Sequence, residues 1–189
     1  MQEYVATAFL SCSLRVEDLP FVEYISRILK AHGIKPDGTI GRYYAAPENV
    51  STSMKNQIEN CDLIVIAATP RYFTEDVHNK RSFKSMSEQL HAEAGIADGL
   101  NKPIVVFVQE GTEPGNYLSS VTQYVVLNGS LEDYERKKTL ILSLLNNAYN
   151  KVQNLSHKRD FESLKSTVVG GLAIFGFLKL MQYLIESDD

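Results

Sequence analysis

Positive charge and cysteine are both scarce in this sequence. Its 189 residues contain 19 Lys and Arg against 23 Asp and Glu, a formal net charge of −4, and the basic residues form no stripe. Non-specific binding to nucleic acid is therefore excluded. The two cysteines, Cys12 and Cys61, lie beside predicted strands and outside any CxxC motif, which argues against a disulfide framework and a zinc site. We expect no metal and a reducing compartment.

The first residues also lack the features of a signal peptide. The opening Gln2-Glu3-Tyr4 is polar, and the apolar run that follows is too short for a signal core. We therefore expect a cytoplasmic protein.

The stretch at residues 85–108 predicts a helix that leads into a buried strand. Either Gly99 or Asn101 can provide the left-handed end of the helix, and Pro103 prevents its continuation. Residues 104–108 are apolar at successive positions, which is typical of a parallel strand covered on both faces.

The rest of the chain repeats this alternation of strands and helices. Strands are predicted at 5–12, weakly within 34–44, and at 63–68, 104–108 and 124–127; helices are predicted at 19–31, 47–58, around Glu93, and at 131–155 with Leu140, Leu144 and Leu145 buried. The polar stretch 72–84 is predicted to be a long loop, and 110–115 a turn-rich connection. The order indicates an α/β domain over residues 1–155, an open parallel sheet with helices on both faces.

In such a sheet the ligand lies outside the carboxyl ends of the strands, where the strand order reverses. The loops expected there contain Ser11, Ser13 and Arg15 after the first strand, residues 42–47 after the weak strand, and Thr69 and Arg71 after the third. The helix carboxylate of Glu93 follows that third crossover, so we expect it to face the same crevice. The competing interpretation is a solvent-facing carboxylate paired with Lys84 or Lys102.

Residues 156–189 form a separate segment, a charged linker followed by the apolar run 167–185. The run has about the length that a bilayer core of roughly 30 Å requires, although Lys179 and Gln182 oppose a membrane span. Two interpretations stand: a single-pass membrane anchor, or a helix that docks on the domain or pairs with a second copy.

Several short stretches resemble the TIR (Toll/interleukin-1 receptor) domain, especially the bacterial branch found in antiphage defence. They are Ala8-Phe9-Leu10-Ser11-Cys12-Ser13, the run 58–66, Glu93, and Asn101-Lys102-Pro103-Ile104-Val105. The resemblance spans residues 5–145 and implies a flavodoxin-like sheet. It departs from the family at Gln89, which stands where many TIR enzymes have Trp, and in the long loop before the helix.

The resemblance implies an enzyme of bacterial immune signalling, active as a homo-oligomer. It would cleave the nicotinamide–ribose bond of NAD, giving ADP-ribose or a cyclic form, with NAD as substrate and no cofactor. Glu93 would be catalytic, and the substrate-binding residues would be Phe9, Ser11, Ser13, Arg15, Arg42, Tyr43, Thr69 and Gln89.

Two alternatives stay open. The segment Glu93-Ala94-Gly95-Ile96-Ala97 also resembles the helix of the nucleoside 2-deoxyribosyltransferases, which place a nucleophilic glutamate in a similar pattern. In both families a carboxylate faces the anomeric carbon of a ribosyl group. The second alternative is a non-catalytic TIR module that acts as a scaffold, attached to a membrane by the C-terminal helix.

Overall fold

A computed structural model describes residues 4–37, 50–76, 78 and 80–156. In chain order the elements are β1 (Ala6–Cys12), a short 3-10 turn (Val16–Asp18), α1 (Leu19–Ala31), β2 (Ile34–Asp37), α2 (Val50–Asn60), β3 (Leu63–Ala68), β4 (Tyr72–Glu75), β5 (Ser82–Ser85), α3 (Glu88–Gly99), β6 (Ile104–Gln109), α4 (Gly115–Val121), β7 (Tyr124–Leu127) and α5 (Leu131–Ser156).

Five of the strands form one parallel sheet in the order β2–β1–β3–β6–β7. The chain first adds β2 on one side of β1 and then places β3, β6 and β7 in turn on the other side. The order therefore reverses between β1 and β3, the arrangement of flavodoxin-like sheets. The predicted α/β class with an open parallel sheet is confirmed.

Both faces of the sheet are covered, because side chains alternate along each strand. On β1, Ala8 and Leu10 join the core under α1 and α5. Phe9 points to the opposite core, which α2, α3 and α4 cover. The six residues of β3 are all buried, as expected for a central strand with helices on both sides.

The segment predicted as a long polar loop contains an antiparallel hairpin. Strands β4 and β5 pair with Phe73 opposite Lys84, and the Arg71 N–H donates to the Ser85 carbonyl at 2.7 Å. The prediction was wrong here because β4 is exposed at all four positions, so no apolar face marks it as a strand. A backbone hydrogen bond from the Glu113 N–H to the Lys84 carbonyl, 2.8 Å, ties the hairpin to the loop after β6.

One short helix was not predicted, and one smaller prediction differs from the structure. The chain after the turn at 110–115 forms the short helix α4, which packs through Leu118. Leu140 was expected on the buried side of α5 and is 61% exposed. The buried stripe of α5 runs through Ile141, Leu145 and Ala148, and Leu140 lies about 100° around the helix from Ile141.

Other predicted features fall outside the described residues. These are Arg42, Tyr43, the rest of the loop to residue 47, and the apolar run 167–185. Within the described ranges, no helix combines the length and the apolar composition that crossing a membrane requires.

Candidate functional site

Helix α3 is fixed at both ends by features that the sequence contains. The Ser87 hydroxyl caps its start by accepting the Gln89 N–H at 3.3 Å. Beyond its end, Asn101 adopts the left-handed conformation with φ of 56°. The helix packs on the sheet through Leu90, Ala94 and Ala97, which places the neighbouring Glu93 at the helix–sheet boundary.

Glu93 is 4% exposed, although it is a carboxylate. Its Oε2 accepts a hydrogen bond from the hydroxyl of Ser11, 82 positions away in the sequence. Ser11 is fully buried near the carboxyl end of β1, on the face that α3 covers. The pair therefore joins α3 to the strand at which the sheet order reverses.

The second carboxylate oxygen is held by Gln89, one helical turn earlier. The Gln89 Nε2 donates to Glu93 Oε1 at 3.1 Å. Both donors are neutral, and no basic side chain of the described part forms an ion pair with Glu93.

The competing interpretation, a solvent-facing carboxylate paired with a lysine, is therefore wrong. Lys102 Nζ donates to the backbone carbonyl of Glu59 at 2.8 Å, and Lys84 Nζ lies 5.8 Å from the ring centroid of Phe73. Both lysines thus have contacts other than Glu93.

Burial raises the pKa of Glu93 above its ordinary value, and the hydrogen bonds from Ser11 and Gln89 oppose that rise only in part. The free energy cost of a buried anion is thus incompletely offset. A carboxylate held in this way can stabilise a positive charge that develops beside it, or act as a nucleophile.

The loop after β1 contains two further predicted residues, which contact the protein itself. The Ser13 hydroxyl accepts the Arg15 N–H at 3.4 Å. The Arg15 guanidinium donates to Asp18 Oδ2 at 2.8 Å and to the Pro70 carbonyl at 2.5 Å. Arg15 thus links the loops after β1 and β3, on the two sides of the reversal.

The other two described candidates lie on the strands that flank the reversal. Phe9 is buried in the core between the sheet and α2 and α3, on the same face as Ser11. Thr69 is buried directly after β3. Ser11 and Gln89 thus both contact Glu93, and ligand contacts of all the candidates stay predictions.

A cleft of about 340 Å³ opens at the same edge of the sheet. The loops after β1 and β3, the end of β6 and the hairpin line it, with Arg15, Glu17, Asp18, Pro70, Arg71, Tyr72, Phe73, Lys84 and Gln109. Glu93 is not among these lining residues. Sequence reasoning placed Arg71 at this edge but missed the aromatic residues and Lys84, because the hairpin that positions them was predicted as a loop.

The described residues contain no group of three or more His, Cys, Asp or Glu side chains that could hold a metal ion. Basic side chains that could contact an anionic ligand line the cleft instead.

Neither a known protein family nor a curated protein matches this sequence. Among solved structures, the chain is similar to the CMP N-glycosidase BcmB of Clostridium botulinum, at 21% identity and a TM-score of 0.46, covering 71% of this chain and 98% of that one. It is also similar to FerB of Paracoccus denitrificans, a flavoenzyme NAD(P)H:(acceptor) oxidoreductase, at 17% identity and a TM-score of 0.43, covering 79% and 98%. Both TM-scores lie below 0.5, so we take the function of this chain from its own residues.

Proposed function

We propose that this chain is an enzyme that cleaves the N-glycosidic bond of a nucleotide, with Glu93 facing the anomeric carbon of the ribose. The observation that carries the proposal is a buried carboxylate held by two neutral donors beside the β1–β3 reversal. Parallel α/β sheets bind their ligands at this position.

The chemistry follows from the charge that develops during cleavage. As the bond between C1′ and the base nitrogen breaks, the electron pair leaves with the base and the sugar becomes oxocarbenium-like. An ionised Glu93 stabilises that positive charge or attacks C1′, and water then completes hydrolysis. Because no cation of the described residues pairs with Glu93, its charge is available to the sugar, and Ser11 and Gln89 fix the direction of its two oxygens.

The proposed substrate is NAD. Its nicotinamide carries a positive charge in the substrate and leaves as a neutral ring, so departure requires no proton from the protein. Among the described residues, no second carboxylate perturbs the pKa of Glu93, which suits a reaction without a paired general acid. The TIR resemblance supports the same substrate, and with it a signalling role in bacterial immunity and self-association.

The test is to incubate the full chain with NAD and identify the products by mass spectrometry. We expect nicotinamide together with ADP-ribose or its cyclic form, and loss of both with Glu93→Gln. Glu88→Gln is the matched control, since Glu88 begins the same helix and is exposed.

Parallel incubations separate the alternatives. CMP tests the substrate in the name of the matched glycosidase, and a deoxynucleoside with a second free base tests transfer. If bases are exchanged and no nicotinamide is released, the proposed activity is wrong and the chain is a deoxyribosyltransferase. If none of these substrates is turned over, at protein concentrations that allow assembly, the proposed enzymatic function is contradicted. The alternative of a non-catalytic scaffold module then stands.

A further inference from the structure

The cleft beside the hairpin combines positive charge with exposed aromatic rings. Its basic residues are Arg15, Arg71 and Lys84, and its acidic residues are Glu17 and Asp18. Arg15 Nε lies 2.8 Å from Asp18 Oδ2 and 3.4 Å from Glu17 Oε1, so one arginine serves both carboxylates. Arg71 and Lys84 form no ion pair with any carboxylate of the described part of the chain. The cleft therefore has two cations that no carboxylate of the described residues neutralises, in a protein whose net charge is −4.

The hairpin holds these cations beside aromatic rings. Strand pairing places Phe73 directly opposite Lys84, and the Lys84 Nζ lies 5.8 Å from the Phe73 ring centroid. The Arg71 guanidinium lies 5.9 Å from the ring centroid of Tyr72. Phe73 is 83% exposed and Tyr72 49% exposed, so both retain faces open to a ligand. Exposed aromatic rings beside basic side chains suit a ligand that has both a planar base and phosphates.

The cleft lies at the carboxyl ends of the strands, the edge at which Ser11, the hydrogen-bond partner of Glu93, lies near the end of β1. Among its lining residues, Arg15 belongs to the loop after β1 and Pro70 to the loop after β3, on the two sides of the strand reversal. Gln109 is the last residue of β6. Lys84 precedes by three positions the Ser87 cap of α3, the helix of Glu93. The volume of about 340 Å³ lies within the range of roughly 300–1,000 Å³ that is typical of small-molecule sites.

We propose that this cleft binds the phosphate-bearing part of the nucleotide, with Arg71 and Lys84 on phosphate oxygens and Tyr72 and Phe73 beside a base. The inference rests on the proposed function and adds a substrate class: the enzyme selects phosphorylated nucleotides over nucleosides. Arg71 and Lys84 act in binding, so their removal raises KM. The bond-breaking step depends on Glu93, so kcat is unchanged.

The test compares substrates that share a glycosidic bond and differ in phosphate, NAD against nicotinamide riboside and CMP against cytidine. With Arg71→Gln or Lys84→Gln we expect KM for the phosphorylated member to rise about 10-fold or more, from the loss of one charge-assisted hydrogen bond, while kcat is kept. The unphosphorylated member should be cleaved equally by wild type and variants. Added salt should raise KM for the phosphorylated substrate in the wild type and less so in the variants.

Arg81→Gln is the matched control. Arg81 precedes β5, and its guanidinium pairs with Glu113 at 2.9 Å outside this cleft, so its loss should leave KM unchanged. Circular dichroism of each variant checks that the fold is retained. An unchanged KM for the phosphorylated substrate in both cleft variants would overturn the inference.

A binding measurement separates this inference from the proposed function. Calorimetric titration with ADP requires no turnover, and we expect wild type and Arg81→Gln to bind it and the two cleft variants to bind about 10-fold more weakly. If ADP binds in this pattern while no nucleotide is cleaved, the proposed nucleotide-binding role of the cleft is supported and the proposed enzymatic function is wrong. If the wild type binds no ADP, or all variants bind it equally, the proposed binding role of the cleft is wrong, whatever the role of Glu93.

Discussion

Glu93 and Asp133 are both buried carboxylates, on helices that cover opposite faces of the same sheet, and their partners differ. Glu93 accepts hydrogen bonds from two neutral side chains. Asp133 is 1% exposed and accepts from Arg136 at 2.5 Å, from Lys137 at 2.8 Å and from the Asn128 N–H at 3.0 Å. It also lies in the first turn of α5, where negative charge is favoured.

The pKa values of the two groups move in opposite directions. Burial alone would raise the pKa of Asp133, but hydrogen bonds from Lys137, Arg136 and the Asn128 N–H outweigh it and bring the pKa below the ordinary value. Burial of Glu93 is not matched in this way, and its pKa is raised. Under the proposed function, the difference separates a carboxylate that stabilises the fold from one that acts on a ligand.

The largest expected effect comes from Glu93→Gln. The amide keeps the size of the side chain and removes its charge, so turnover should fall by about 100-fold or more. The thermal unfolding midpoint near neutral pH should not fall, because the variant no longer buries an incompletely stabilised anion. Steady-state rates and a thermal melt measure the two effects. A destabilised Glu93→Gln variant would place Glu93 in the same class as Asp133.

The opposite pattern is expected for Asp133→Asn. Loss of the charge leaves Arg136 and Lys137 without their buried partner, and we expect a loss of about 1–3 kcal/mol in the free energy of unfolding. The kcat should be unchanged, since Asp133 lies on the face of the sheet away from α3. Denaturant unfolding measures the loss. Glu132→Gln is the control, because it removes an exposed charge from the same helical turn; an equal loss there would assign the effect to the helix dipole.

Asp133 should also confer acid sensitivity. Its folded-state pKa lies below the unfolded value near 3.8, so the stability it contributes is present above that value and is lost as the pH falls through the lowered pKa. Wild type and Asp133→Asn should therefore converge in stability on acidification. A difference between their denaturant midpoints that stays constant as the pH falls below about 3.8 and through the lowered pKa would contradict the assignment of the shift to Asp133.

The sequence predicts those parts of the fold in which local pattern and burial agree. The continuous apolar run of β3 is predicted with its exact bounds, and the end of α3 follows from Asn101 and Pro103. The contact of Ser11 with Glu93 spans 82 positions, and only the rule that ligands lie at strand ends brought the two into one predicted crevice. The hairpin has no such signal because both of its faces meet solvent.

The site is predictable to a smaller extent than the fold. A helix carboxylate among small residues is visible in the sequence. Its burial, and the absence of a cationic partner for it in the described part of the chain, follow from how α3 packs on the sheet. The Lys84 side chain illustrates the limit. Sequence spacing allowed it to pair with Glu93, whereas the strand register places it opposite Phe73.

Ser11→Ala should produce an intermediate effect on activity. The Ser11 hydrogen bond lowers the pKa of Glu93, so its loss should raise that pKa further. Because the ionised carboxylate is the proposed active form, the acidic limb of the pH–rate profile should move to higher pH, and kcat near neutral pH should fall about 10-fold or less. Ser13→Ala removes a nearby hydroxyl with no bond to Glu93 and should leave the limb in place. An unmoved limb in Ser11→Ala would mean that another group sets it.

The smallest effect is the pH dependence of the stability difference between Glu93→Gln and wild type. The folded-state pKa of Glu93 is raised, so the native protein binds this proton more tightly than the unfolded chain. The stabilisation from that proton is complete below the ordinary value near 4.5 and is lost as the pH rises through the raised pKa, whereas glutamine does not titrate. The variant should therefore gain relative to wild type between acidic and neutral pH, opposite in direction to the change for Asp133→Asn. Thermal melts of each variant in its own window, above about 4.5 for Glu93→Gln and below about 3.8 for Asp133→Asn, would measure the two slopes. Slopes of the same sign would show that the two carboxylates are held alike.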